Sequence, residues 1–352
     1  MVLTGSRGKR KLRQQMTFGN IAIIGGGALG TALAINLSKK SDVTLVMRTA
    51  EEAERVSLCR INERYFPGVL IPDEIGVAAD LHAVVLSADL VLITCPVSAF
   101  EEVAGRVAAV RRDVPVLWCC KGLSPTSGEP LSVAAARIMG PDACYGVLSG
   151  PSFASGLAAN EPTALVVATN KDYETVLRIA AGLSNNALRV YASSDLVGVQ
   201  ICGAIKNVYA IAAGVIHGCG WRENTRAAMI TRAVAETERY LRAHDCKLST
   251  LMGLSGFGDI YLTCGSQTSR NYQVGMALAG GTPLAEVLEG LGHVAEGVHA
   301  ARLILKRAQE LGVEMALVQA VNDILDGQKT PMECLTALMT RDVRHECWDL
   351  HV

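Results

Sequence analysis

Residues 195–220 read DLVGVQICGAIKNVYAIAAGVIHGCG. Between Leu196 and Ile216 the run is apolar and, at about 1.5 Å per residue, roughly 30 Å long, enough to cross a bilayer or a small protein domain. Lys206 and Asn207 sit near its middle. A charge at that depth of a membrane is expensive, and no second hydrophobic span follows to receive it. The run therefore predicts a buried helix of a globular protein, with Ser193, Ser194 or Asp195 as N-cap and with Gly198, Gly203 and Gly214 as points of close approach. A lysine walled in by apolar side chains has its ammonium form disfavoured, so its pKa falls toward the range of useful proton exchange. The commoner fates of a lysine, snorkelling to the helix surface or pairing with a carboxylate, stay open for Lys206 at this point.

Upstream the pattern changes to short β-branched runs. Residues 21–24 (IAII) predict a fully buried strand, followed at once by the turn GGGALG (25–30) and a segment of helical character. Gly25, Gly27 and Gly30 occupy the three positions of a G-x-G-x-x-G fingerprint in its required strand, turn and helix context. The first glycine makes the tight turn, the second admits a pyrophosphate to the backbone, and the third lets helix and strand pack closely. A glycine-rich turn that binds nothing is the bland alternative. A second strand (43–47) ends at Arg48, where an acid would favour the NAD ribose. Arginine there favours a 2′-phosphate, so NADPH is preferred to NADH, although Glu51 and Glu52 remain in reach of a ribose.

Further strands are expected at 90–94, 114–119, 144–148, 163–168 and 187–191, with NERYFPG (62–68) in a loop. In a doubly wound sheet the loops at the carboxyl ends, CPVSAF (95–100), KGLSPTSGEP (121–130) and SGPSFASG (149–156), face the ligand crevice. Lys121 therefore falls where a substrate phosphate or hydroxyl would sit, or is a solvated loop lysine. From Asp195 onward the chain reads as helices. The expected organisation is a basic leader (1–15), a Rossmann-type doubly wound α/β domain (16–194) and an all-helical domain (195–352). In the helical half, GLSGFGD (253–259) delivers Asp259 to a short helix, and SQTSRN (266–271) puts Ser269 at an N-cap with Arg270 and Asn271 in the first turn. Arginine there can fork onto a phosphate. A surface arginine and a capping aspartate are the plain alternatives.

Net charge is −1, and the leader holds Arg7, Lys9, Arg10, Lys11 and Arg13, leaving −6 for the rest. A nucleic-acid surface is not suggested. The leader lacks the apolar region of a secretory signal. Eleven cysteines form no CxxC pair and no Cys/His cluster at zinc spacing, so no metal site is expected and the setting reads as reducing and cytoplasmic.

Together, GGGALG, CKGLSP, SGPSFA, DLVGVQICGAIKNVYAIAAG, GLSGFGDIYLTC and SQTSRN, in this order and spacing, closely resemble the bacterial type of NAD(P)-dependent glycerol-3-phosphate dehydrogenase, from about residue 18 to 340. The resemblance implies reversible reduction of dihydroxyacetone phosphate to sn-glycerol 3-phosphate for glycerophospholipid synthesis, by a cytoplasmic homodimer. By position, Lys206 matches the family's proton-transferring lysine. Lys121, Gly150, Ser152, Asp259, Ser269, Arg270 and Asn271 match substrate contacts, and Asn207 and Thr263 match polar positions near the reaction centre. Ala28, Leu29, Arg48, Lys121, Ala154, Arg270, Val294 and Glu296 match cofactor contacts. Ala28 and Leu29 are apolar, so any polar contact made there by relatives would have to come from backbone. Two rival readings are carried: another two-domain NAD(P) dehydrogenase for a different sugar phosphate or hydroxy acid, and a non-catalytic NADPH sensor.

Overall fold

The computed structural model describes residues 18–291 and 295–342, so the basic leader, Val294 and the chain beyond residue 342 lie outside the described residues. Strand β1 (Asn20–Ile24) is the axis of the first half. Its side chains alternate between two cores, as the period of a strand requires: Ile21 and Ile23 pack on one face with Leu45, Leu92 and Leu117, while Ala22 and Ile24 pack on the other with Val46, Val91 and Trp118. A strand covered on both faces reads as a continuous apolar run, which is why IAII was legible.

β1 pairs in parallel with β2 (Asp42–Val46) on one side and, across the sheet, with Leu90–Ile93 on the other. With the hairpin strands β3 (Ile61–Asn62) and β4 (Phe66–Leu70), then β5 (Gly76–Ala78), β6 (Leu90–Ile93), β7 (Val116–Trp118), β8 (Tyr145–Ser149), β9 (Thr163–Thr169) and β10 (Leu188–Ser193), the main sheet has the order β10-β9-β8-β7-β6-β1-β2-β5. The chain moves outward from β1 through β2 and returns to the opposite side with β6. The crevice between β1 and β6 is thus the topological switch point, where open α/β sheets hold their ligands.

Three features depart from the sequence expectation. β5 has only three residues, too few to carry a periodic signal. NERYFPG is not a plain loop: Asn62 ends one strand and Phe66 opens its antiparallel partner, a two-stranded hairpin apart from the main sheet. β9 runs antiparallel to β8 and parallel to β10, so the last two strands oppose the other six.

Strand β10 ends at Ser193, and the long helix spans Leu196–Gly218, with the Asp195 carboxylate accepting from Gly198 N at 2.9 Å as its cap. Call the helix after β1 α1 (Ala28–Leu37), this one α2 (Leu196–Gly218), and those around it α3 (Asp259–Cys264), α4 (Arg270–Ala279) and α5 (Glu296–Glu310). The apolar window of α2 is 94% buried inside the protein, which makes it the axis of the helical half. Ile201, Ile205, Val208 and Ile211 are each at or below 1% exposure, and burial of such side chains stabilises by roughly 1.5–3 kcal/mol apiece. α4 crosses α2 through glycine on both sides: a Cβ on Gly214 would lie 1.9 Å from Tyr272 O, and one on Gly275 2.0 Å from Ile211 O. That contact draws the start of α4, with Asn271, alongside Asn207.

Candidate functional site

The glycine turn follows β1. Gly25 adopts φ +119, a conformation side chains rarely take, and a Cβ on Gly30 would meet Gly25 O at 2.0 Å, so neither position accepts another residue. Thr94 at the end of β6 donates to Gly25 O at 2.7 Å and ties the turn to the neighbouring strand. Gly27, the second fingerprint glycine, faces open space, and as N-cap of α1 it leaves the first-turn N–H groups without a side-chain acceptor. No acid occupies the first turn of α1. Open space beside free N–H groups at a positive helix end suits a pyrophosphate, so the turn fits a dinucleotide. Ala28 and Leu29 offer backbone only. Arg48, just beyond β2, is exposed and forms no ion pair or side-chain hydrogen bond among the described residues. Glu52, which the sequence left in reach of a ribose, is instead paired with Arg64 at 3.1 Å.

At the carboxyl ends of β7 and β8 the chemistry gathers on one carboxylate. Asp259, 1% exposed at the start of α3, takes Lys121 Nζ on Oδ2 at 2.6 Å and Lys206 Nζ on Oδ1 at 3.0 Å. Lys206 Nζ also donates to Thr263 Oγ1 at 2.8 Å, and Thr263 Oγ1 lies 3.2 Å from Asp259 Oδ1. Lys121 Nζ donates a second bond to Gly150 O at 2.8 Å, from a residue at φ +132; Ser152 Oγ reaches the same oxygen at 3.2 Å. Burial brings the Lys206 ammonium down to about 8, against the opposing pull of Asp259 and with further help from Lys121. For Asp259, burial alone would push the carboxyl up, but the two ammonium groups outweigh it and hold the pKa below the usual range. The site thus carries one anion between two cations, with a lysine poised to give up a proton near neutrality.

A relay of asparagines sets the two halves against each other. Asn207 Nδ2 donates to Lys121 O at 3.0 Å, Asn271 Nδ2 donates to Asn207 Oδ1 at 3.0 Å, and Gly297 N donates to Asn271 Oδ1 at 3.0 Å. Both ends of the Asn271 side chain are therefore committed within the protein, leaving its backbone N–H for a ligand. Ser269 caps α4, accepting from Tyr272 N at 3.4 Å. Arg270 projects from the first turn of α4, exposed and without an ion pair among the described residues. Glu296 begins α5 and accepts from Val97 N at 3.3 Å, reaching back to the loop after β6; burial pushes its carboxyl up. Ala154 opens the short helix Ala154–Ala158 after the Gly150 loop. The expected Val294 contact lies outside the described residues. One residue escaped the sequence reading altogether: Asn62, 2% exposed, whose side chain donates to Gly26 O at 2.6 Å. A lone asparagine in a stretch read as a loop carries no local signal of such a contact.

The model of the NAD-dependent glycerol-3-phosphate dehydrogenase N-terminus matches residues 20–175, and that of the C-terminus matches residues 195–336. A protein of Dechloromonas aromatica named glycerol-3-phosphate dehydrogenase [NAD(P)+] is 43% identical, covering 93% of this chain and 99% of its own. One of the same name from Aromatoleum aromaticum is 45% identical over the same shares. Among solved structures, glycerol-3-phosphate dehydrogenase from Coxiella burnetii superposes with a TM-score of 0.86 at 34% identity, covering 92% of this chain and 99% of its own.

Proposed function

The chain belongs to the NAD-dependent glycerol-3-phosphate dehydrogenase family, and from that membership we propose how its residues carry the family's reaction. It is an NAD(P)-dependent oxidoreductase that reduces dihydroxyacetone phosphate reversibly to sn-glycerol 3-phosphate, the usual role of the family being supply of the phospholipid backbone. When bound, the nicotinamide supplies hydride to the ketone carbon. Lys206 donates the proton to the developing alkoxide as general acid, and in the reverse direction accepts it from the alcohol as general base. An ammonium close to growing negative charge stabilises the transition state more than the ground state. Asp259 keeps the Lys206 ammonium charged in spite of its burial and aims it, with Thr263 fixing the second of its hydrogens. Lys121 is the second cation for the substrate's oxygens.

Arg270 and the first-turn N–H groups of α4, Asn271 included, take the phosphate, with Ser269, Gly150 and Ser152 lining its approach. Holding the phosphate away from the reacting carbon positions the carbonyl. Gly25, Gly27, Ala28, Leu29 and Gly30 cradle the pyrophosphate, Ala154, Val294 and Glu296 belong to the nicotinamide side, and Arg48 selects NADPH over NADH through the 2′-phosphate. We place the division between the two domains at residues 194 and 195, and take the working form to be a cytoplasmic homodimer, which light scattering would check.

The observation that carries this reading is the Lys121–Asp259–Lys206 cluster at 2.6 and 3.0 Å, with Asp259 and Lys206 buried, at the carboxyl ends of the strands beside the switch point. A non-catalytic sensor would have no use for two cations, one of them buried, on one buried carboxylate, an arrangement costly in desolvation. The test is a panel of ketone phosphates and hydroxy acids with loss of reduced-nicotinamide absorbance as readout. Dihydroxyacetone phosphate should be the best substrate by kcat/KM. A higher value for another ketone, or no turnover at all with tight NADPH binding, overturns it.

A further inference from the structure

The residue that sequence reading missed has a definite geometry. Asn62 closes β3 and is 2% exposed; its Nδ2 donates to Gly26 O at 2.6 Å and to Thr31 Oγ1 at 2.9 Å. A carbonyl oxygen can only accept, so the group facing Gly26 has to be the amide nitrogen, and both of its hydrogens are used. The peptide joining Gly26 and Gly27 is planar and trans, so fixing the direction of the Gly26 carbonyl fixes the Gly27 N–H in the opposite direction. No backbone acceptor takes that N–H among the described residues, and the space over Gly27 is open.

The hairpin bearing Asn62 is itself anchored. Arg60, at φ +53 where the helix Ala50–Cys59 ends, donates through Nε to Ile71 O at 3.2 Å and through its guanidinium to Pro72 O and to Ile75 O at 3.0 Å. Arg64 in the hairpin turn reaches Glu52 at 3.1 Å and lies 5.0 Å over the Tyr65 ring. Asn62 thus arrives at the turn from a strapped support rather than from a free loop.

We infer that Asn62 is a positioning residue for cofactor binding: by holding the Gly26 carbonyl it aims the Gly27 N–H at the dinucleotide pyrophosphate. This rests on the dinucleotide role given above to the glycine turn. Asn62→Asp is isosteric but sets a carboxylate against a carbonyl, which turns the peptide away. NADPH binding followed by nicotinamide fluorescence should weaken about tenfold or more, and the NADPH KM should rise in parallel. kcat at saturating cofactor and the KM for dihydroxyacetone phosphate should move by less than about twofold. Asn62→Ser, neutral but too short to span to Gly26 O, should weaken binding about fivefold, and carries the same reading if the aspartate variant does not fold.

A merely structural residue would lower the melting temperature and the yield of active enzyme with the NADPH constants unmoved, and that result overturns the proposal. The two readings fail separately. Wild-type protein that binds NADPH but reduces no ketone phosphate sinks the substrate assignment while the Asn62 shift in dissociation constant still stands. Full activity with equal NADPH constants in wild type and variants sinks only the role of Asn62.

Discussion

Asp259→Asn is the perturbation that probes the centre most directly. The substitution keeps the shape but removes the anion that sits 3.0 Å from Lys206 Nζ and 2.6 Å from Lys121 Nζ. At an effective dielectric near 20, one unit pair at that separation interacts by roughly 5–6 kcal/mol before desolvation is counted, an upper bound on its effect. An opposite charge within a few ångströms commonly moves a pKa by about 1–3 units, so Lys206, already near 8, should fall to roughly 6 in the variant. At pH 7.5 the ammonium fraction of Lys206 would then drop from about three quarters to about 3%, a loss of roughly twenty-five-fold in the rate of ketone reduction.

The assay is the pH–rate profile in both directions. Reduction needs the ammonium and should decline in the wild type as pH rises through about 8, whereas alcohol oxidation needs the amine and should climb over the same range. In Asp259→Asn both limbs should move acid by about two units, and reduction should partly recover near pH 5.5. An alkaline limb at the same pH in both proteins would refute the claim that Asp259 sustains the Lys206 charge. The stability side carries its own sign: Asp259 is depressed, so its contribution is present above about pH 3.9 and is lost as pH falls through its lower folded pKa. The variant should therefore be less stable than wild type at pH 7, by about 3–5 kcal/mol as for other broken buried pairs.

Lys206→Ala should lower kcat by about 10²–10⁴-fold with the NADPH dissociation constant within about twofold; lost cofactor binding with turnover preserved would contradict the assigned role. Arg270→Ala should raise the KM for dihydroxyacetone phosphate about tenfold or more, and an unchanged KM would remove Arg270 from the phosphate site. Arg48→Ala should raise the KM for NADPH about tenfold while leaving that for NADH nearly unmoved; equal changes for both would dismiss the 2′-phosphate reading. Away from the site, Glu236 is buried on the helix Glu223–Arg242, and burial pushes its carboxyl up to about 7 although Oε1 accepts from Leu317 N at 2.7 Å. A raised carboxyl stabilises the fold below its unfolded pKa of about 4.3, and that contribution is lost as pH rises through 7. Glu236→Gln should therefore gain on the order of 1–3 kcal/mol at pH 8 and almost nothing at pH 4, measured by chemical denaturation. An equal gain at both pH values would mean that titration has no part in it.

What was legible in the chain was whatever short-range physics dictates. The strand, turn and helix around Gly25 could be read because a positive φ and close packing admit only glycine at Gly25 and Gly30. The caps at Asp195 and Ser269 could be read because each serves an N–H three residues on. The apolar run through α2 announced a buried helix, since that follows from composition along one segment, while its interrupting lysine left a perturbed amine as one reading beside snorkelling and carboxylate pairing.

The partners of those groups were not legible, because they lie far away along the chain. Lys121 and Asp259 are 138 residues apart, Lys206 and Thr263 57, Asn62 and Gly26 36, and only the packing of α2, α3 and the β3–β4 hairpin brings each pair within hydrogen-bond range. The packing of α4 and α5 on α2 likewise commits the Asn271 side chain to Asn207 and Gly297, and the antiparallel setting of β9 against β8 leaves no mark in residues that read alike in either direction. Sequence determined which chemistry the chain possesses and which segments carry it. Tertiary structure decided which groups share a proton, a charge or a peptide orientation, because hydrogen bonds and Coulomb attraction fade within a few ångströms and take no account of distance along the chain.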